Sequence, residues 1–155
     1  TGGGVGLRAL FTPGHEVDHV CYYLREDRVM FTGDTVLGAS STSVGDLAAY
    51  MKSLELLTKF KHDTICPAPG PVVPAPRGAN LVRWQYEHRM GRERQVVAAL
   101  EKGISEVSKI TSDMYPKNLK KGLRPSAERN VNTHLRKLIK EESVEETPAS
   151  FKLNN

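Results

Sequence analysis

The chain has 155 residues, of which 39% are hydrophobic, and a net charge of +4. That size supports one compact domain, or one domain with a small appendage. No stretch of 18 apolar residues exists, so the sequence contains no candidate membrane-spanning helix and no membrane partner is expected. No signal peptide is expected from the residues read. Cys21 and Cys66 are not in a C-x-x-C arrangement, which excludes a zinc ribbon and a disulfide framework. Both read as buried free thiols of an intracellular, reducing compartment.

In chain order, the first third reads as strands. Residues 7–11 (LRALF), 19–24 (HVCYYL) and 29–31 (VMF) are β-rich segments. The polar turn REDR makes a hairpin of the second and third. A helix follows in DLAAYMKSLELLTKF, with Leu47, Met51, Leu54, Leu57 and Phe60 near a 3.6-residue period and Asp46 as N-cap. Residues 63–67 (DTICP) form a fourth strand. The strand–helix–strand connection makes it parallel to the third.

The segment PAPGPVVPAPRG has too much proline for helix or strand and reads as a rigid loop. A long helix is expected over 81–101, ended by Gly103. Beyond it come a helix in ISEVSKITSDMY, the basic connector PKNLKKGLRP and a second helix in SAERNVNTHLRKLIK. Val131, Leu135, Leu138 and Ile139 form the apolar face of that second helix. Residues 143–155 read as a polar, frayed tail with at most a short strand near Phe151. The division expected is 1–79, a linking helix 80–101, a helical unit 102–142 and the tail 143–155.

Charge follows this division. Residues 1–80 carry a net −1, residues 81–140 a net +8 and residues 141–155 a net −3. A basic block of that size fits a polyanionic partner, although a solvated helical surface gives the same count.

The chemistry gathers where strands one, three and four end. The loops TPGH, TGD and PAPGP meet on one sheet edge, and Gly14 and Gly33 permit the sharp turns. His15 and Asp34 are presented there. An imidazole and a carboxylate are the mixed donors that zinc, manganese or iron accept, and a carboxylate can bridge two metals. Two donors alone do not make a metal site.

The ordered motifs TPGH…DH, FTGDTVLG, DLAAYMKSLELL, ICPAPGPVV and HRMGRERQ resemble the second half of the metallo-β-lactamase superfamily. Within it they look most like the mitochondrial β-lactamase-like endoribonucleases. The resemblance runs from about residue 8 to residue 140. It implies an α/β (mixed α+β) fold: the C-terminal half of an αββα sandwich, followed by a small winged-helix-like domain. It also implies a metal-dependent hydrolase that cleaves single-stranded RNA with metal-activated water, Zn²⁺ being the expected cofactor.

On that resemblance His15 is a ligand of the first metal and Asp34 the bridging aspartate. Asp18 and His19 are supporting residues that orient the ligands, with an ordinary strand histidine the equal alternative for His19. His88 is expected to pack in the linking helix.

The sequence departs from the family twice. The His-x-His-x-Asp-His signature is absent, and the chain opens on TGGGVGLRAL rather than on Met. It therefore reads as the C-terminal part of a longer protein, inactive alone, its inner sheet face covered by the other half of the fold or by self-association. Pro69 also stands where the family has the last histidine, a ligand of the second metal.

For RNA, the candidate phosphate contacts are Lys117, Lys120, Lys121, Arg124, Arg129 and Arg136, with Lys137 and Lys140 on the same helix. Trp84, Tyr86 and Tyr115 are candidates for base stacking. Packing at the junction of the two units is the expected role of Trp84 and Tyr115, and a surface or capping role that of His134. Two other functions stay open: a degenerate, non-catalytic scaffold that binds RNA, and a hydrolase of a small thioester or lactone.

Overall fold

The computed structural model describes residues 4–155; residues 1–3, where the opening loop was read, lie outside the described residues. The elements run β1 (Leu7–Phe11), β2 (Val20–Leu24), β3 (Val29–Gly33), α1 (Leu47–Thr58), β4 (Thr64–Pro67), α2 (Arg77–Glu101), α3 (Val107–Met114), α4 (Arg124–Lys140), β5 (Val144–Thr147) and β6 (Ser150–Leu153). A 3₁₀ turn at Lys121–Leu123 leads into α4. The chain divides into two compact units, one ending at His88 and one beginning at Arg89, so the boundary falls inside α2.

The first unit is built on a sheet of order β1-β2-β3-β4. β1 and β2 are antiparallel, as are β2 and β3; β3 and β4 are parallel across the α1 crossover. Strand alternation sorts the side chains onto two faces. Leu10, Cys21, Tyr23, Met30 and Ile65 share one face and are buried, as are Leu47, Tyr50, Met51, Leu54 and Leu57 of α1. The Asp46 side chain caps α1 by accepting from Ala49 N at 3.0 Å. The Tyr50 hydroxyl donates to Thr35 O and the Ser53 hydroxyl to Pro13 O, which ties α1 to the loops at the sheet edge.

The opposite face is apolar and uncovered. Register aligns Phe11 with Val20 and Tyr22 with Phe31 on it. Phe11 is 62% exposed, Tyr22 44% and Phe31 39%. Side chains of this size are ordinarily buried. The two cysteines differ: Cys21 is buried and its thiol is pushed up to about 11 by burial, against the Thr12 hydrogen bond that lowers it, while Cys66 is only half-buried.

The second unit has its own closed core. Val96, Ala99, Leu100, Ile110, Val131, Leu135, Leu138 and Val144 are buried together, with Phe151 and Leu153 packed against them. This changes the reading of the C-terminus. Residues 143–155 are not a frayed tail: β5 and β6 form an antiparallel hairpin, and Phe151 N donates to Ser105 O at 2.9 Å. The charged residues between Val144 and Leu153 masked the alternation that buries them. α2 also begins earlier than expected, at Arg77, directly after Pro76, the last proline of the loop, and its first turn includes Gly78 and Asn80, whose weak helix propensity hid it.

Candidate metal centre

The strands bring the predicted loops to one edge. Ala68 N, just past β4, donates to Gly33 O at 2.9 Å, and Thr12 N donates to His19 O at 2.9 Å. Gly14 and Gly33 both have positive φ, +135° and +51°. Any side chain on Gly14 would strike the Tyr50 backbone, and a Cβ on Gly33 would lie 2.7 Å from His19 Nε2. Both glycines therefore serve close approach as well as turning.

His15 and Asp34 meet, with Nε2 of the first 3.9 Å from Oδ2 of the second. His15 Nδ1 is 2.7 Å from Ser43 O and 3.0 Å from Thr42 Oγ1. A carbonyl only accepts, so Nδ1 carries a proton, and Nε2 is the ring nitrogen turned toward Asp34. Donors bound at about 2.0–2.2 Å to one ion can stand no more than about 4.3 Å apart, and the observed separation lies inside that limit. The backbone carbonyl plays the part that an outer partner plays for a metal-bound histidine, fixing tautomer and ring orientation. The pair thus fits part of a metal site. Among the described residues, no group of three or more His, Cys, Asp and Glu side chains is placed to hold an ion.

Thr42 and Ser43 are the partners of His15 that sequence reading missed. They lie 27 and 28 residues from His15, and only the return of the loop before α1 brings them to it. Gly45 N and Asp46 N both donate to Gly14 O, at 2.9 and 3.0 Å, and hold that loop in place.

His19 stands behind the pair. Its ring centroid is 6.2 Å from that of His15, edge-on, and its Nδ1 is 3.0 Å from both Thr12 Oγ1 and Thr35 Oγ1. Burial, then the charge of His15, holds its pKa below the usual histidine value; Asp34 and Asp18 act against this. Asp18 is exposed and acts on His19 through its charge. Pro69 is exposed in the loop after β4 and offers no donor atom.

The second unit corrects several readings. Lys117, Lys120, Lys121, Arg129 and Arg136 are exposed. Arg124 is not: it is half-buried, pairs through Nε with Glu128 at 3.1 Å, and donates through Nη2 to Ser108 O at 2.6 Å and Ser112 Oγ at 2.9 Å. It ties α3 to α4. Lys137 also leaves the basic face, being buried and bonded to Glu93 and Glu141, each at 2.9 Å. His134 is neither surface nor cap; it is 3% exposed, with Nδ1 3.6 Å from Glu93 Oε2.

Burial pushes the Glu93 carboxyl up, but its contacts with His134 and Lys137 outweigh burial and hold it below its usual value. Burial likewise works against the Lys137 charge, and its bonds to Glu141 and Glu93 prevail and raise it.

The aromatics separate too. Tyr115 lies under the Arg92 guanidinium at 4.6 Å, and Tyr86 donates to Glu55 Oε1 at 3.0 Å. Trp84 is 56% exposed, and His88 is stacked on it at 5.1 Å rather than packed into a core.

Residues 1–68 match the metallo-beta-lactamase superfamily, and residues 107–152 match the beta-lactamase associated winged helix domain. A beta-lactamase-like protein 2 homolog of Caenorhabditis elegans is 34% identical over 142 residues, which cover 92% of this chain and 48% of the relative. An atrochrysone carboxyl ACP thioesterase of Aspergillus fumigatus is 41% identical over 98 residues, covering 63% of this chain and 30% of the relative. The chain thus spans about half the length, or less, of the curated relatives it matches. A beta-lactamase domain protein of Burkholderia ambifaria shares the fold, with a TM-score of 0.77 at 20% identity, over 96% of this chain and 48% of that one. The sheet edge carrying His15 and Asp34, and the closed helical unit with its C-terminal hairpin, therefore have one common explanation: the chain carries a metallo-β-lactamase superfamily domain and that superfamily's associated winged helix domain.

Proposed function

We propose that this chain supplies one half of the active centre of a metal-dependent endonuclease acting on single-stranded RNA. The observation that carries the metal is the His15–Asp34 pair, 3.9 Å apart, with the imidazole locked by Ser43 O so that Nε2 is the free donor. His15 and Asp34 would hold a zinc ion together with donors from outside this sequence. Bound there, a divalent metal supplies Lewis-acid polarisation of a phosphoryl oxygen and a lowered pKa for water. The chain's own part is to fix the donors: Ser43 and Thr42 orient His15, Gly33 sets the turn that presents Asp34, and His19, held between Thr12 and Thr35, packs over Gly33. RNA is supported by the exposed cations Lys117, Lys120, Lys121, Arg129 and Arg136 of the winged helix. The two free thiols fit a reducing compartment such as the mitochondrial matrix or the cytoplasm.

A second reading, hydrolysis of a thioester, is favoured by the relative named as an acyl-carrier-protein thioesterase. The same pair of donors would serve it. Pro69, without a donor, favours a third: a scaffold that binds RNA and cuts nothing.

The native protein decides among these by elemental analysis and by turnover of a fluorogenic single-stranded RNA and an acyl-N-acetylcysteamine thioester. Bound metal with RNA cleavage, both lost in His15→Ala, is the expected result. Thioester turnover without RNA cleavage selects the second reading. RNA binding without metal or turnover selects the third, and Pro69→His then tests whether the missing donor is the cause.

The uncovered sheet face carries a further consequence. We infer that Phe11, Tyr22 and Phe31 are covered by a second apolar sheet, and that in the chain of 155 residues another copy fills that place.

A further inference from the structure

Between the loop after β3 and the start of α2 lies a cleft of about 510 Å³, whose lining includes Leu37, Ser41, Arg77, Asn80, Trp84 and Gln85. It lies wholly within the first unit. Three features of it have no structural explanation. The Trp84 indole is 56% exposed although it is the largest apolar side chain in the protein; one face is stacked on His88 at an interplanar angle of 14°. Gln85 is 4% exposed, and among the described residues no hydrogen bond is made by its side-chain amide. The stem is buried, but the amide is not among the sealed, unpartnered groups, so it opens on the cleft with its donor and acceptor unused by the fold. Arg77 reaches over the cleft to Gly38 O at 3.1 Å and remains exposed, with donors to spare.

The cleft is coupled to the metal pair through one loop. Its Leu37–Ser41 stretch lines the cleft, and the next two residues, Thr42 and Ser43, hold His15 Nδ1.

We propose that this cleft binds one nucleobase of the single-stranded RNA, stacked on Trp84 and read at its edge by the Gln85 amide, with Arg77 toward the adjoining phosphate. An indole is a good platform for any base, and an amide presents a donor and an acceptor side by side, which suits a base edge. An aliphatic acyl chain would fill the volume but leave Gln85 unpaired and Arg77 without a counter-charge. The proposal rests on the RNA reading above and names the position of one of its nucleotides.

Trp84 is the one tryptophan of the chain, so its fluorescence reports the cleft directly. The experiment titrates the 155-residue chain with the four nucleoside 5′-monophosphates, with ribose 5-phosphate and with decanoyl-N-acetylcysteamine. Saturable quenching by at least one nucleotide, and none by the other two, is expected. Gln85→Leu keeps the reporter and should weaken nucleotide binding about tenfold, the effect of leaving a base edge unpaired. Because Gln85 is buried, a second variant at an exposed position, Trp84→Ala, is read by calorimetry and should also weaken binding about tenfold through lost stacking. Equal quenching by ribose 5-phosphate overturns the base pocket, as does quenching by the acyl probe alone, or nucleotide binding unchanged in both variants. The readout needs neither metal nor turnover. Nucleotide binding without RNA cleavage would keep the cleft and remove the endonuclease, whereas RNA cleavage by the native protein without nucleotide binding here would do the reverse.

Discussion

The two units solve the same packing problem to different degrees. The winged-helix unit closes on itself: α2, α3, α4 and the β5–β6 hairpin bury Val96, Ile110, Val131, Leu135 and Val144 completely or nearly so. The sheet unit closes on one side only. α1 covers the face with Met30 and Ile65, while Phe11, Tyr22 and Phe31 stay exposed on the other. The difference teaches that a folded half-sandwich can be locally well formed, with capped helix and matched register, and still lack a partner surface. It also separates roles. The closed unit presents exposed cations on a rigid support, and the open unit carries the His15–Asp34 pair.

Substitution in the closed core should have the largest effect. Leu135→Ala removes a fully buried side chain and is expected to cost about 2–5 kcal/mol, read as the shift of the urea midpoint by circular dichroism. A loss below 0.5 kcal/mol would mean, at roughly the usual surface value, that the core is not closed. Next comes the buried ion pair. Glu93→Gln leaves Lys137 without one of its two carboxylates and should cost about 1–3 kcal/mol.

The same pair sets a pH dependence. Glu93 is held below its usual value in the folded protein, so its contribution is present above the ordinary carboxylate range and is lost as pH falls through the lowered pKa. Lys137 is raised, so its contribution is full below the usual lysine range and is lost as pH climbs through the raised value. Stability measured against pH should therefore fall at both ends, and the fall should flatten in Glu93→Gln. An unchanged profile in that variant would remove the pair from the account.

The open face should respond oppositely. Phe31→Asp is expected to change stability by less than about 0.5 kcal/mol in the dissociated chain, since the side chain is exposed. It should nonetheless convert an associated chain into a monomer on size-exclusion chromatography. A wild-type chain that already elutes as a monomer contradicts the proposed covering of that face.

Much of the sheet unit was legible because its signals are local. Alternation placed β1, β2 and β4 within a residue of their observed bounds, the one strand–helix–strand connection fixed the parallel pairing, and Asp46 announced α1. The convergence of His15 and Asp34 followed from strand direction alone. The winged helix was less legible. Its helices were readable from their apolar stripes, but the hairpin was hidden among Glu145, Glu146 and Lys152, whose side chains face solvent while Val144, Phe151 and Leu153 reach the core.

By itself the sequence determined the strand order, the sheet edge and the meeting of His15 and Asp34 on it, since period, turn residues and crossover rules act over a few neighbours. Only the tertiary structure decided what each polar or aromatic group is for. Ser43 became the partner of His15 from 28 residues away, and Lys137 and His134 left the surface for Glu93, more than 40 residues distant. Trp84 was left beside an open cleft instead of a core. Whether a side chain is a contact, a tie or a free surface depends on which distant group arrives beside it, and chain folding alone sets that.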